Sequence, residues 1–192
     1  MTRRFDRDGR GREFHMQSLG VMRHFDFNSP ASYSREQAIL TIRELGMGMD
    51  VVEQQCKRAV FNIVARNQDD HVKNISFLMD SSGAWRLSPA YDVAYPYNAR
   101  GSWTGDHQMS LAGKRNGFTS GNLMDFAANA GLKPARARQV AREVVDSVGK
   151  WQRHAEKAGV EPSDITRIEK SFPRGLHNRQ CRFHPTGRSA GR

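Results

Sequence analysis

The stretch RNQDDHVKNISFLMDSSGAWRLSPAYDV, residues 66–93, concentrates the side chains that could do chemistry. Two acids, Asp69 and Asp70, stand together in a polar loop and Asn74 follows. Another acid, Asp92, comes after an apolar run, a Ser-Ser-Gly turn and a second apolar run. Asp69 and Asn74 are five residues apart, the separation between the base and the magnesium-binding asparagine in kinase catalytic loops. Phosphoryl transfer asks little covalent chemistry of a protein. It needs one carboxylate to accept the proton of the substrate hydroxyl, and an asparagine and a second aspartate to hold magnesium on the phosphates. Asp69 fits the first role, and Asn74 and Asp92 the second. An all-oxygen donor set suits a hard cation such as Mg2+. Asp70 is the rival base. Its spacing to Asn74 is one short, which favours Asp69 and leaves Asp70 to stabilise the loop.

Such a loop needs a rigid helix before it and a hairpin after it. Asp50 with Glu53 reads as a helix start, and Val52, Cys56, Ala59, Val60, Ile63 and Val64 recur at helical spacing up to about Asn67. ISFLM (75–79), the turn at 81–83 and AWRL (84–87) read as a short hairpin that delivers Asp92 at its far end. Upstream, Ser34 with Gln37 three residues on is a capping-box spacing, and Gly46 closes that helix. In residues 1–33 the only strand candidate is RRF at the N-terminus. Residues 95–119 read as irregular. Helical patterns resume at 121–130 and at 134–157, where Pro134 suits a first turn and Val140, Val144, Val148, Trp151 and Ala155 share a face. A last short helix is expected from Ser163 to Phe172, and 173–192 as a basic, disordered tail without periodicity or acids.

The formal net charge is +10, but half of it comes from five arginines in the last twenty residues, so the body is only mildly basic. No apolar run is long enough to span a membrane. The charged N-terminus has no apolar stretch behind it and does not read as a signal peptide. Cys56 and Cys181 stand far apart without a CxxC partner, which argues against a zinc site or disulfide framework and for a reducing cytoplasmic setting.

D-D-H-V-K-N (69–74), a hairpin, and W-R-L-S-P-A-Y-D-V (85–93) together resemble the signature of HipA-like serine/threonine kinases, in which D-x-H-x-K-N precedes L-[ST]-P-x-[YF]-D-[VI]. The opening R-R-F-D-R is similar to that family's hinge segment E-R-F-D-R, with Arg3 in place of its Glu, and MSLAGKRNGFT (109–119) is similar to its loop after the metal site. The resemblance runs over roughly residues 3–170. It implies a mainly α fold with a small β-hairpin, the C-lobe of a protein-kinase-like toxin. It implies Asp69 as catalytic base, Asn74 and Asp92 as Mg2+ ligands, and Arg4, Phe5, His71, Val72, Lys73, Asn74, Tyr91 and Asp92 against ATP. It also implies a protein substrate, typically an aminoacyl-tRNA synthetase, and a HipB-like helix-turn-helix antitoxin through which DNA is reached. The family's phosphate loop and ATP lysine have no counterpart here, so the chain reads as starting at the hinge, with the N-lobe encoded separately or lost. An inactive remnant and a basic nucleic-acid-binding module are the rival readings.

Overall fold

A computed structural model describes residues 4–177. The elements run β1 (His15–Ser18), α1 (Leu19–Met22), α2 (Arg35–Glu44), α3 (Met49–Val64), β2 (Ser76–Met79), β3 (Trp85–Leu87), α4 (Ser120–Asn129), α5 (Pro134–Val148), α6 (Trp151–Lys157), α7 (Pro162–Ser171) and α8 (Arg174–His177). The fold is thus helix-rich around one small antiparallel sheet.

α3 is the hub, packed between α2 and α5. Its inner face buries Val52, Cys56, Ala59, Val60, Ile63 and Val64, all at most 4% exposed and all on the stripe read from the sequence. Burial pushes the Cys56 thiol up to about 12, so this cysteine packs as a small apolar group. Leu123 and Phe126 of α4 and Val140 and Val144 of α5 close the same core. The helix ends follow local chemistry. Gln37 Oε1 accepts from the Ser34 amide at 2.7 Å at the start of α2. Gly46 reverses the chain after it at φ +73. Thr119 Oγ1 accepts from the Asn122 amide at 3.3 Å at the start of α4.

Several expectations need correction. The hairpin is part of a three-stranded sheet in the order β1-β2-β3, because His15–Ser18 pairs antiparallel with Ser76–Met79. β1 shows little apolar alternation and is held by its backbone ladder, while Arg4 and Phe5 of the expected N-terminal strand are not in a strand. α3 is capped by Gly48 rather than Asp50; a Cβ at Gly48 would sit 2.6 Å from Asp50 Oδ1. The long helix expected over 134–157 is two helices separated at Gly149 and Lys150. The domain does not stop at Phe172. Arg174–His177 form a further helical turn whose Leu176 is 1% exposed and joins the core. One apolar residue in a basic segment gives no period to read. The rest of the expected tail, 178–192 with Cys181, lies outside the described residues. Among the described residues no helix is long and apolar enough to cross a membrane.

Leu176→Ala removes buried surface and leaves a cavity, so it should cost about 2–4 kcal/mol in urea unfolding. The neighbouring exposed Arg174→Ala should change stability by less than about 0.5 kcal/mol. Equal, negligible effects would place Leu176 outside the core.

Candidate functional site

The α3 axis ends at Ala65, and Arg66 turns the chain at φ +58. Asn67 then folds back, its amide donating to Asn62 O at 2.9 Å and its side chain to Asn62 Oδ1 at 3.1 Å. From here the loop alternates. Gln68, Asp70 and Val72 are buried, whereas Asp69 and His71 are partly open and Lys73 is exposed. Successive side chains of an extended segment point to opposite faces. Adjacent acids are thereby sorted into an inward and an outward one.

The inward acid is Asp70, with its side chain 1% exposed. The Arg35 guanidinium, 3% exposed at the start of α2, donates to Asp70 Oδ2 in a buried ion pair. His107 Nδ1 lies 2.9 Å from the same oxygen, and the Gln108 amide donates to Oδ1 at 2.9 Å. Nδ1 also lies 3.1 Å from Arg35 Nη2, so the His107 ring touches both members of the ion pair. Burial, and then the Arg35 cation, hold His107 well below its usual value, so the ring is neutral. Burial also lowers the Arg35 guanidinium, to about 9, which still leaves it a cation at neutral pH. The clamp joins three segments, and backbone bonds reinforce it: the Arg35 amide donates to Ser110 O at 2.9 Å and the Ala31 amide to Gln108 O at 3.2 Å. Asp70 therefore stabilises the loop, as its spacing suggested. Arg35 and His107 carried no local signal, being 35 and 37 positions away from it in sequence.

The outward acid is Asp69, its side chain 47% exposed, with His71 Nε2 at 3.8 Å from its Oδ1. Asn74 donates from Nδ2 to the Asp69 carbonyl at 2.8 Å. That bond fixes the amide plane and leaves Oδ1 of Asn74 free to ligate. Gly20 donates to Val72 O at 3.1 Å, and its backbone runs so close that a Cβ there would meet Val72 Cγ2 at 3.1 Å. Val72 itself is 1% exposed and turned into the core, so its side chain does not face the open side of the loop. The Lys73 ammonium sits over the Phe27 ring, 2.9 Å from its centroid.

The returning segment is tied to this loop. The Ser88 amide donates to Ser76 O at 2.9 Å, continuing the sheet, and Arg58 Nη2 donates to Ser88 O at 2.7 Å. Tyr91 donates its hydroxyl to Lys73 O and also contacts Ser76 Oγ, and burial raises its phenol pKa. The Phe5 ring lies 5.6 Å from that of Tyr91. Arg4 reaches sideways, its Nε donating to Asp6 Oδ1 at 2.8 Å. Asp92 follows at φ +52, an uncommon conformation for a residue with a side chain. It is exposed and makes no hydrogen bond or ion pair among the described residues. The structure thus joins Asp69 to Asn74, with His71 close by, and Phe5 to Tyr91. Among the described residues no three His, Cys, Asp or Glu side chains cluster as a metal site. One amide oxygen and one carboxylate fit a hard cation whose remaining ligands are phosphate and water.

Asp70→Asn leaves the buried Arg35 charge without its counter-ion and should cost about 3–5 kcal/mol in urea unfolding. The isosteric change at exposed Asp69 should cost under about 0.5 kcal/mol. The clamp also sets an acid limit. Below pH 6.5 the unfolded His107 takes up a proton that the folded ring resists. The unfolded state then binds more protons, so stability is full above about pH 6.5 and falls as the pH drops below it. His107→Phe should remove part of that slope; an unchanged slope would mean that the folded ring titrates normally.

Comparison with known proteins agrees with this architecture. Among curated proteins none matches the sequence significantly. A structure of the HipA–HipB toxin–antitoxin system of Shewanella oneidensis MR-1 with its operator DNA matches with a TM-score of 0.64 at 17% identity, covering 91% of this chain and 46% of that one. At that identity the likeness is one of fold, and the present chain spans about half the length of its counterpart. The family model of the HipA-like C-terminal domain matches residues 1–152. By that match over most of its length, the chain belongs to the HipA-like C-terminal domain family.

Proposed function

We propose that this domain is the catalytic C-lobe of an ATP- and magnesium-dependent protein serine/threonine kinase of the toxin–antitoxin type. The observation that carries the reading is the pairing of Asn74 with the Asp69 carbonyl on a loop clamped from below through Asp70. It leaves one free carboxylate and one free amide oxygen on the same open face. Asp69 orients the serine or threonine hydroxyl and takes its proton as the oxygen bonds to the γ-phosphorus and the bond to ADP breaks. Asn74 and Asp92 would hold Mg2+, which when bound neutralises phosphate charge. The left-handed backbone at Asp92 turns its carboxylate away from local partners, consistent with a ligand role. Tyr91, pinned to Lys73 O, holds the Asp92 segment beside the loop, and Phe5 with Tyr91 offers an aromatic wall to the nucleotide.

Phosphoryl transfer also needs a phosphate-covering loop and a lysine on a strand. In this reading those come from polypeptide outside residues 4–177. The partners follow the matched structure, in which HipA is complexed with HipB and operator DNA. A HipB-like antitoxin would bind this protein and bring it to DNA, and the substrate would be a protein such as an aminoacyl-tRNA synthetase.

The test is a kinase assay with the N-lobe of a HipA-like protein supplied in trans or by fusion, and Mg-ATP affinity measured alongside. Asp69→Asn should spare nucleotide affinity and lower turnover by about 10²–10⁴-fold. Asp92→Asn should weaken nucleotide binding and rate together. Wild-type turnover in Asp69→Asn would refute the assignment of the base.

A further inference from the structure

The Tyr91 hydroxyl fixes Asp92 from upstream, and the downstream side needs an anchor of its own. Residues 92–97 belong to no helix or strand and make no backbone hydrogen bond among the described residues. Val93 is 52% exposed and Ala94 is exposed too, so apolar burial does little of the holding. A segment with so few contacts moves unless side chains restrain it. Two half-buried rings supply that restraint. Tyr95 and Tyr97 meet edge to face, with centroids 6.3 Å apart at 72°. The Arg66 guanidinium lies over Tyr97 at 4.5 Å, and that of Arg167 over Tyr95 at 5.9 Å. Arg66 has a second attachment, its Nε donating at 2.8 Å to Ser171 O at the end of α7, the helix that also carries Arg167. α7 is itself fixed, because Trp151 Nε1 donates to Ile165 O at 3.2 Å and Ile168 and Phe172 are buried. Arg66 is also the left-handed residue, at φ +58, where α3 gives way to the loop bearing Asp69 and Asn74. Such a backbone is kept in a residue with a side chain only where the surroundings hold it.

We propose that Arg66 is a positioning residue for the Asp92 half of the site. Its guanidinium couples the end of α7, through the Tyr97 ring, to the segment that follows Asp92. Its backbone starts the 67–74 loop, so one residue ties both halves of the site to one helix end. The Asp92 carboxylate is thereby held where a divalent cation can meet it. Arg66 touches neither Asp69 nor Asp92 and acts through Tyr97 alone, as the Tyr91 hydroxyl acts on the upstream side through Lys73 O. The inference rests on reading Asp92 as a metal ligand, and adds what keeps that ligand in place.

The test is nuclear magnetic resonance on the whole chain, with Mn2+ alone as the probe. Arg66→Asn removes the guanidinium and keeps a residue that tolerates the left-handed backbone. Tyr97→Leu removes the ring, Tyr97→Phe keeps it, and the Tyr97 pair carries the test should Arg66→Asn unfold. Backbone order parameters at Val93, Ala94 and Tyr95 should be near about 0.85 in the wild type and in Tyr97→Phe, and about 0.6 or lower in Arg66→Asn and Tyr97→Leu. The Mn2+ concentration that half-broadens the Asp92 amide should rise about fivefold in the same two variants and stay at the wild-type value in Tyr97→Phe. Order lost without a shift in that midpoint would make Arg66 merely structural and overturn the proposal, as would order retained in both variants. Absence of broadening at Asp92 in the wild type, or broadening that survives Asp92→Asn, would instead refute Asp92 as a ligand, and the proposal would fall with it.

Discussion

A single buried carboxylate, Asp70, organises the 68–74 loop and the segments packed beneath it. It collects a guanidinium from α2, the Nδ1 edge of His107 and a backbone N–H from Gln108 at one point beneath the loop. Taking a carboxylate and a guanidinium out of water costs several kcal/mol per ion. The arrangement is favourable only because the hydrogen bonds to Asp70 are made together. The clamp is therefore all-or-none: with any member missing, a charge or dipole is left buried and unmatched. That cooperativity fixes where the 68–74 loop sits relative to α2 and to residues 107–111.

Rigidity on the inner face sets what the outer face presents. Asp70 is anchored inwards while the adjacent Asp69 stays open, and the Asn74 side chain locks the Asp69 carbonyl in turn. The second half of the site is held by a different device. β2 and β3 bring the chain back, Arg58 and Ser76 grip Ser88, and the Tyr91 hydroxyl ties the segment to Lys73 O. Only then does the backbone enter the left-handed region at Asp92. Two independently anchored segments thus converge, leaving the Asp69 and Asp92 carboxylates and the Asn74 amide oxygen without a hydrogen bond among the described residues.

Much of this was legible in the sequence, for reasons specific to each element. The α3 stripe was readable because every fourth or third residue is apolar, and the Ser34–Gln37 cap because a capping box is local chemistry. The loop spacing located Asp69 and Asn74, which the structure joins by a direct bond. The features that escaped depend on contacts distant in sequence. β1 is held by its ladder to β2, so HMQS carries little side-chain pattern. Arg35 and His107 look like ordinary surface residues until the fold buries them against Asp70. Leu176 is one apolar residue among basic neighbours and shows its role only when packed. The break at Gly149 interrupts a helical period that continues in phase as far as Ala155, so periodicity alone ran the two helices together.

The most direct measurement of the anchoring role is residue-resolved amide hydrogen exchange on the wild-type chain and on Asp70→Asn. The reporters are the amides of Gly20, Asn74 and Gln108, bonded respectively to Val72 O, His71 O and Asp70 Oδ1. If the carboxylate holds the loop, all three should lose protection together in Asp70→Asn by far more than the amides of α5, which packs on α3 away from the clamp. Retained protection at Asn74 and Gly20, with only the Gln108 amide affected, would show that the loop is held by other contacts and would contradict the account.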